Sequence, residues 1–140
     1  MIDTHTHLDD EAFAKDKAEV IEKSFSKGIL KIVNVSRDTR LADLYEHIYA
    51  AVGYHPYQVK EFSMNTLEQL VGGKKVVAVG EIGLDIKEAK NLKKQKEVFE
   101  QVINFAQKMK RPMMLPSSSI GSQPLSCRKV SRMPWMPRSP

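Results

Sequence analysis

Cysteine and long apolar runs are scarce in this sequence of 140 residues, and each scarcity excludes a class of protein. Cys127 is the single cysteine, so the chain is not a domain held together by internal disulfides. No segment approaches the roughly 18 consecutive apolar residues of a membrane span, and Met1 leads into Asp3 and His5 without the basic start and apolar run of a signal peptide. We therefore expect a cytoplasmic chain with no membrane partner, built as one modest domain.

Acidic residues are absent from the last thirty positions, and this absence accounts for the net charge of +5. Residues 1–110 contain 17 basic and 17 acidic side chains, whereas residues 111–140 contain five basic side chains and no acidic one. The overall basicity therefore gives no evidence that the domain binds nucleic acid. The same end of the chain carries six of the seven prolines and shows no apolar period of 2 or 3.6 residues. We expect a domain over residues 1–115 and an irregular tail, rich in proline, serine and arginine, over residues 116–140.

Strand and helix patterns alternate upstream of this tail. The predicted strands cover residues 1–5, 29–36, 48–53, 75–80 and 113–115, and the predicted helices cover residues 16–27, 41–47, 66–70 and 95–109. The fourth strand, KVVAVG, is apolar without alternation, which is typical of a parallel sheet covered on both faces. The alternation predicts an α/β fold built from βαβ units.

Polar residues follow several of these strands at the point where each one ends. Thr4-His5-Thr6-His7 follows the first strand, Gly53-Tyr54-His55-Pro56 the third, and Gly80-Glu81-Ile82-Gly83-Leu84-Asp85 the fourth. The carboxyl ends of parallel strands meet at one edge of a sheet, where binding and chemistry collect. We expect these side chains to lie close together.

His5, His7 and Glu81 are the candidate metal ligands in these clusters. Residues i and i+2 of an extended chain project to the same side, so His5 and His7 can share one ion. An ionised Glu81 at the end of a buried strand is costly unless it is paired or bound to a metal. Two alternatives remain open at this point: the histidines form a solvated strand end, or Glu81 pairs with a lysine.

Four other polar residues have weaker interpretations. His55 precedes Pro56 in the loop after the third strand, and it contacts either a substrate phosphate or carboxylate, or the backbone of its own turn. Asp3 is a candidate partner for a histidine N–H, Asp85 a helix-capping or loop carboxylate, and His47 a surface residue of a helix.

Four segments together resemble the TatD family of metal-dependent deoxyribonucleases, within the wider amidohydrolase-like group. They are DTHTHLDDEAF (residues 3–13), IVNVS (32–36), YAAVGYHPY (49–57) and KVVAVGEIGLD (75–85), in the order and spacing of the family. The resemblance covers about residues 1–115. It implies that the fold is the N-terminal part of a TIM-type (β/α)₈ barrel, that His5, His7 and Glu81 hold divalent ions, and that His55 lies near the substrate.

The chemistry that the resemblance implies is hydrolysis of phosphodiester bonds at DNA ends by two divalent ions, with DNA as the partner. Paired ions lower the pKa of a bound water and stabilise charge on the attacking and leaving oxygens. Magnesium, manganese and zinc all suit imidazole and carboxylate ligands, so the sequence does not choose among them. It identifies no catalytic residue beyond the ligands. Another amidohydrolase-like activity on an ester or amide is a second interpretation.

The chain departs from the family in its length and at its fifth strand. A closed barrel takes about 250 residues, and Met113-Met114-Leu115-Pro116 stands where members carry a histidine. We interpret residues 116–140 as the product of a frameshift, a premature end or a gene-model error. An incomplete barrel leaves open strand edges, so we expect self-association through them and impaired activity. The alternative to an enzyme is a noncatalytic fragment.

Overall fold

Five parallel strands form one sheet in which neighbours along the chain are also neighbours in space. The computed structural model describes residues 1–85 and 91–116. The strands are β1 (Ile2–Thr6), β2 (Lys31–Ser36), β3 (Ile48–Val52), β4 (Val76–Gly80) and β5 (Met113–Met114). The helices between them are α1 (Lys17–Ser26), α2 (Arg40–Leu44), α3 (Met64–Val71) and α4 (Leu92–Lys108). This strict alternation with sequential strand order is the arrangement found in a (β/α)₈ barrel.

The strands β2, β3 and β4 carry buried residues on both faces of the sheet, as the unbroken apolar pattern of the fourth strand predicted. One face packs against the helices, where Ile21 of α1, Leu67 of α3 and Val98 of α4 are fully buried. A smaller cluster on strands β2, β3 and β4 comprises Val35, Ala51 and Ala78, with Val33 and Met114 packed against it. Adjacent strand residues therefore enter different cores.

The predicted helix over residues 41–47 is too long. Helix α2 ends at Leu44, and His47 lies in a turn, exposed as predicted. The Nζ atom of Lys75 donates to the carbonyl oxygens of Ala42, Tyr45 and Glu46 at 2.8, 2.6 and 3.0 Å. These carbonyls, at and just beyond the helix end, are satisfied by an ammonium group thirty residues away, so the helix does not need to continue.

The loop expected after Pro56 contains a second departure, a 3₁₀ helix over Pro56–Glu61. Proline at the first helical position has the backbone angle that such a helix needs. A shorter 3₁₀ helix over Glu11–Phe13 follows β1, and the carboxylate of Asp10 accepts from the backbone N–H of Ala12 to cap it.

The carboxyl ends of β3, β4 and β5 approach one another closely at two glycines. A Cβ atom added at Gly53 would lie 2.6 Å from the carbonyl carbon of Gly80, and one added at Gly80 would lie 2.5 Å from the carbonyl oxygen of Met114. Gly80 also has a φ of +154°, which side chains rarely adopt. Glycine at these two positions allows the strand ends to approach one another. Glu81 directly follows Gly80, so this approach also positions Glu81.

The predicted tail over residues 116–140 lies, apart from Pro116, outside the described residues, so its irregular structure stays a prediction. Within residues 1–85 and 91–116, no helix is both long enough and apolar enough to cross a membrane.

Candidate metal centre

His5, His7 and Glu81 meet although they come from strands that are not neighbours. His5 lies in β1, His7 just after it, and Glu81 just after β4. Strands β2 and β3 separate β1 from β4, so a flat sheet with about 4.8 Å between strands would place these ends about 14 Å apart. The side-chain atoms are instead less than 4 Å apart. The sheet must therefore curl, as it does in a barrel.

The three side chains present donor atoms at the separations that ligands of one ion adopt. The Nε2 atoms of His5 and His7 are 3.1 Å apart, and they lie 3.6 and 3.5 Å from Oε2 of Glu81. The point equidistant from these atoms lies about 2.0 Å from each, which is close to the Zn–N and Zn–O distances of protein sites. Two imidazoles and a carboxylate form a donor set that first-row divalent ions accept. The residues present therefore fit a metal ion.

Burial divides the roles of these side chains. The side chain of Glu81 is 9% exposed, whereas those of His5 and His7 are 39% and 52% exposed. Among the described residues, the ion-pair partners of the Glu81 carboxylate are the two imidazoles, and no lysine is among them. A nearly buried carboxylate facing two imidazoles has a favourable environment if a cation lies between them.

The pairing of β1 with β2 is irregular in the part of β1 that contains His5. Asp3 pairs with Ile32 of β2 and Thr6 pairs with Asn34, so two residues of β1 lie opposite one residue of β2. Such a bulge turns side chains relative to the regular pleat. The carboxylate of Asp3 accepts from the backbone N–H of His5 at 3.2 Å, not from an imidazole as predicted. Its short side chain reaches the backbone two residues ahead more readily than a ring.

Asn34, which the sequence interpretation missed, holds the segment just after the histidines. It is 2% exposed; its Oδ1 accepts from the backbone N–H of Leu8 at 2.8 Å, and its Nδ2 donates to Oδ2 of Asp9 at 2.7 Å. Lys17 adds an ion pair to Asp9 at 3.2 Å. Burial alone would raise the pKa of Asp9, but hydrogen bonds from Ser36, Lys17 and Asn34 outweigh it and lower that pKa. The signal in the sequence was the position of Asn34 between Val33 and Val35, because a polar residue between apolar strand residues indicates a buried hydrogen-bond partner.

A cavity of about 320 Å³ opens beside the metal-ligand candidates. Its lining residues come from the carboxyl end of β2 and from the segments that follow β1, β2, β3 and β4. They are His7, Asp9, Asp10, Val35, Ser36, Arg37, Gly53, His55, Tyr57, Gln58 and Glu81. The structure therefore places His55 in the same cavity as His7 and Glu81. We refer to this cavity below as the cleft.

His55 is a half-buried residue whose ring has an unsatisfied nitrogen. Its Nδ1 atom is buried and has no hydrogen-bond partner in the described part of the chain, so the alternative of a ring satisfied by its own turn is wrong for that atom. Burial lowers the pKa of His55, although the negative charges of Glu81 and Asp85 oppose the shift. This shift favours the neutral imidazole, which offers one N–H donor.

Fixed charges in the cleft do not favour an anion on their own. Asp9, Asp10 and Glu81 supply three carboxylates, and Arg37 is the cationic side chain that stands against them. Arg37 is itself ion-paired to Glu61, and its guanidinium lies 4.9 Å from the centre of the Tyr54 ring. A phosphate or carboxylate ligand would be repelled here unless a metal ion offset the negative charge.

Asp85 lies in the loop after β4, as one of its two predicted roles required. Its backbone N–H donates to Oε1 of Gln95 at 2.8 Å, and its carbonyl oxygen accepts from Nε2 of Gln95 at 3.3 Å. Gln95 belongs to the predicted apolar face of α4 and is fully buried. The helical spacing correctly predicted that Gln95 lies on the buried face of α4, but it did not predict its hydrogen bonds to this loop.

The chain is similar to known proteins along most of its length. The family described as TatD related DNase matches residues 2–124. The chain is 34% identical to the uncharacterized metal-dependent hydrolase YabD of Bacillus subtilis, over 82% of this chain and 49% of the relative. It is 26% identical to the 3'-5' ssDNA/RNA exonuclease TatD of Pantoea ananatis, over 100% of this chain and 57% of the relative.

A solved structure shares the fold. The crystal structure of YjjV, a TatD homologue from Escherichia coli K12, superposes with a TM-score of 0.70 at 31% identity, covering 82% of this chain and 49% of that one. This likeness confirms the predicted N-terminal part of a barrel. The chain spans about half the length of the curated relatives it matches. The family match also runs past residue 115, so the predicted domain boundary stays a prediction.

Proposed function

Because this chain belongs to the TatD related DNase family, we propose that it supplies the metal centre of a divalent-metal-dependent hydrolase that cleaves phosphodiester bonds at nucleic acid ends, DNA in particular. The observation that carries the proposal is the convergence of His5, His7 and Glu81, with donor atoms 3.1 to 3.6 Å apart. Relatives named as metal-dependent hydrolases and as a ssDNA/RNA exonuclease support the reaction class.

In this proposal His5, His7 and Glu81 hold the ion. A bound divalent ion would lower the pKa of a water ligand and offset the charge of a phosphodiester. The three donors define one position for an ion. The donor set suits magnesium, manganese and zinc to different degrees, and ion identity and number belong to the test.

His55 is proposed as a substrate-binding residue. It lines the cleft with His7 and Glu81, and burial lowers its pKa, which favours the neutral ring. A neutral imidazole donates one hydrogen bond to a phosphate oxygen without bringing a positive charge close to a metal ion. We expect its loss to weaken substrate binding more than metal binding.

A noncatalytic, self-associating chain is the second candidate. Among the described strands, β1 and β5 each have a partner on one side only. Unpaired N–H and C=O groups at such edges pair readily with another copy.

The two candidates are separated by measuring metal binding and nuclease activity on the full chain. Titration calorimetry with Mn²⁺ and Zn²⁺ gives affinity and stoichiometry, and release of nucleotides from a labelled DNA end gives activity with and without EDTA. We expect the His5→Ala/His7→Ala variant to lose both. His47→Ala is the matched control, because His47 is exposed in a turn outside the site. Cleavage that survives EDTA and the double variant would contradict the proposal, and metal binding without cleavage would favour the second candidate.

A further inference from the structure

Tyr57 is an exposed aromatic side chain at the mouth of the cleft. Six large apolar side chains are exposed in the described ranges, and Tyr57, at 58%, is the aromatic one among them. It also lines the cleft with His7 and Glu81. An aromatic ring left in water beside a polar cavity forgoes the burial that stabilises most aromatic residues, so its position suggests a ligand with an apolar face.

The backbone that carries Tyr57 is fixed, although its side chain is largely exposed. Its neighbours Pro56 and Val59 in the 3₁₀ helix are buried, and the N–H of Gln58 donates to the carbonyl oxygen of His55 at 2.7 Å. The ring centres of Tyr57 and His55 are 4.2 Å apart, with their planes tilted by 38°. The Tyr57 ring is thus supported on one side by His55 and offers the rest of its surface to solvent. Such a prearranged platform loses little conformational entropy when a ligand binds.

We propose that Tyr57 stacks on an unpaired nucleobase of the nucleic acid whose phosphodiester enters the cleft. This inference rests on the proposed function, and it assigns to that site a preference for single-stranded ends, since a base within a duplex has both faces covered by its neighbours. Aromatic stacking is tolerant of sequence because every base has a π face. The same ring therefore serves single-stranded DNA and RNA alike.

The cleft offers matching contacts for the backbone of such a ligand. His7 and Glu81 place the metal site in the same cavity, and Arg37 supplies a cation that Glu61 and the ring of Tyr54 hold in position. A planar guanidinium suits phosphate oxygens. A nucleotide with its base on Tyr57 would thus have its phosphate in a cavity that contains Arg37 and two of the candidate metal ligands.

The test measures binding rather than cleavage. It compares the effect of removing the Tyr57 ring with the effect of removing one base of the ligand. Fluorescence anisotropy of the full chain with Mn²⁺ gives Kd for phosphorothioate oligonucleotides of one sequence, as DNA and as RNA, each intact or with one abasic site moved inward from either end. We expect Tyr57→Ala to raise Kd roughly 5- to 100-fold for intact strands, and Tyr57→Phe to bind like the unaltered chain. At one position, an abasic site should raise the Kd of the unaltered chain by a similar factor. With that abasic strand, Tyr57→Ala should raise Kd no further.

Two further measurements keep structural effects apart from stacking. Thermal unfolding of Tyr57→Ala should match the unaltered chain because the side chain is exposed, and Leu44→Ala, which removes a side chain 77% exposed on α2, should leave Kd unchanged. Equal weakening of intact and abasic strands by Tyr57→Ala, or no weakening at all, would overturn the stacking role while metal-dependent cleavage still stood. If the unaltered chain bound no oligonucleotide, the inference and the proposed function would fall together.

Discussion

Three glycines allow two costs of adding a Cβ atom to be measured separately: the cost of an unfavourable backbone angle and the cost of steric overlap. Gly28 has a positive φ of +94° and open space where a Cβ would lie, whereas Gly53 has no positive φ but would place a Cβ 2.6 Å from the backbone of Gly80. Gly80 combines both features, with φ of +154° and 2.5 Å to the carbonyl oxygen of Met114. Alanine at each position therefore tests backbone conformation alone, steric overlap alone, and their sum.

The magnitudes follow from these geometries. A side chain in a sparsely populated backbone region costs about 1–2 kcal/mol after the gain from a less flexible unfolded chain, which is our expectation for Gly28→Ala. The contact at Gly53 is about 0.8 Å shorter than ordinary van der Waals contact, and overpacking of this kind costs about 1–3 kcal/mol. For Gly80→Ala we expect the sum, about 2–5 kcal/mol.

Urea unfolding of the full chain and its three variants measures the free energies, and manganese titration measures the consequence for the site. Glu81 follows Gly80 directly, so movement of that strand end should weaken metal binding in Gly80→Ala and leave it unchanged in Gly28→Ala. If Gly80→Ala were no more destabilised than Gly28→Ala, the close approach of β4 and β5 would not be a constraint, and the reasoning would be wrong.

Two further predictions concern residues around the cleft. Asn34→Ala should destabilise the chain by about 1–3 kcal/mol in urea unfolding, because the N–H of Leu8 loses its buried acceptor; the exposed Asn104→Ala is the control, and equal effects would contradict the role of Asn34. The NMR titration of His55 should give a pKa below its ordinary value of 6.5, since burial lowers it. The unfolded chain then binds this proton at a higher pH than the folded chain does, so the free energy of unfolding falls as pH drops below 6.5. His55→Gln should remove the part of this fall that is due to His55. A His55 midpoint above 6.5 would refute the argument.

The sheet and the meeting of its polar ends were predictable because both depend on patterns within single segments. The run KVVAVG indicated burial on both faces, and Ala78 and Val79 do enter different cores. The HxH spacing placed two imidazoles on one side, and their Nε2 atoms lie 3.1 Å apart. Parallel strands then bring the residue after β4 to the same edge, so Glu81 could be expected near them.

What escaped prediction depends on partners distant in sequence. The end of α2 is determined by Lys75, which no helical period near Leu44 reveals. Asn34 resembles a solvent-facing strand residue until its two partners, 26 and 25 positions away, are known. In both cases a buried polar group finds its partner through tertiary structure, which spacing along the chain does not encode.

Curvature is the property that links these observations. The metal-ligand candidates lie on β1 and β4, with two strands between them, so they meet only if the sheet bends away from its helices. The face away from the helices carries Ala51 and Ala78 in its cluster, and Gly53 and Gly80 stand at the strand ends. Small residues there leave room for that face to contract, whereas larger ones would hold the strands apart. Two of the three buried residues of this cluster are alanines, so this face is compatible with the curvature that brings the metal-ligand candidates together.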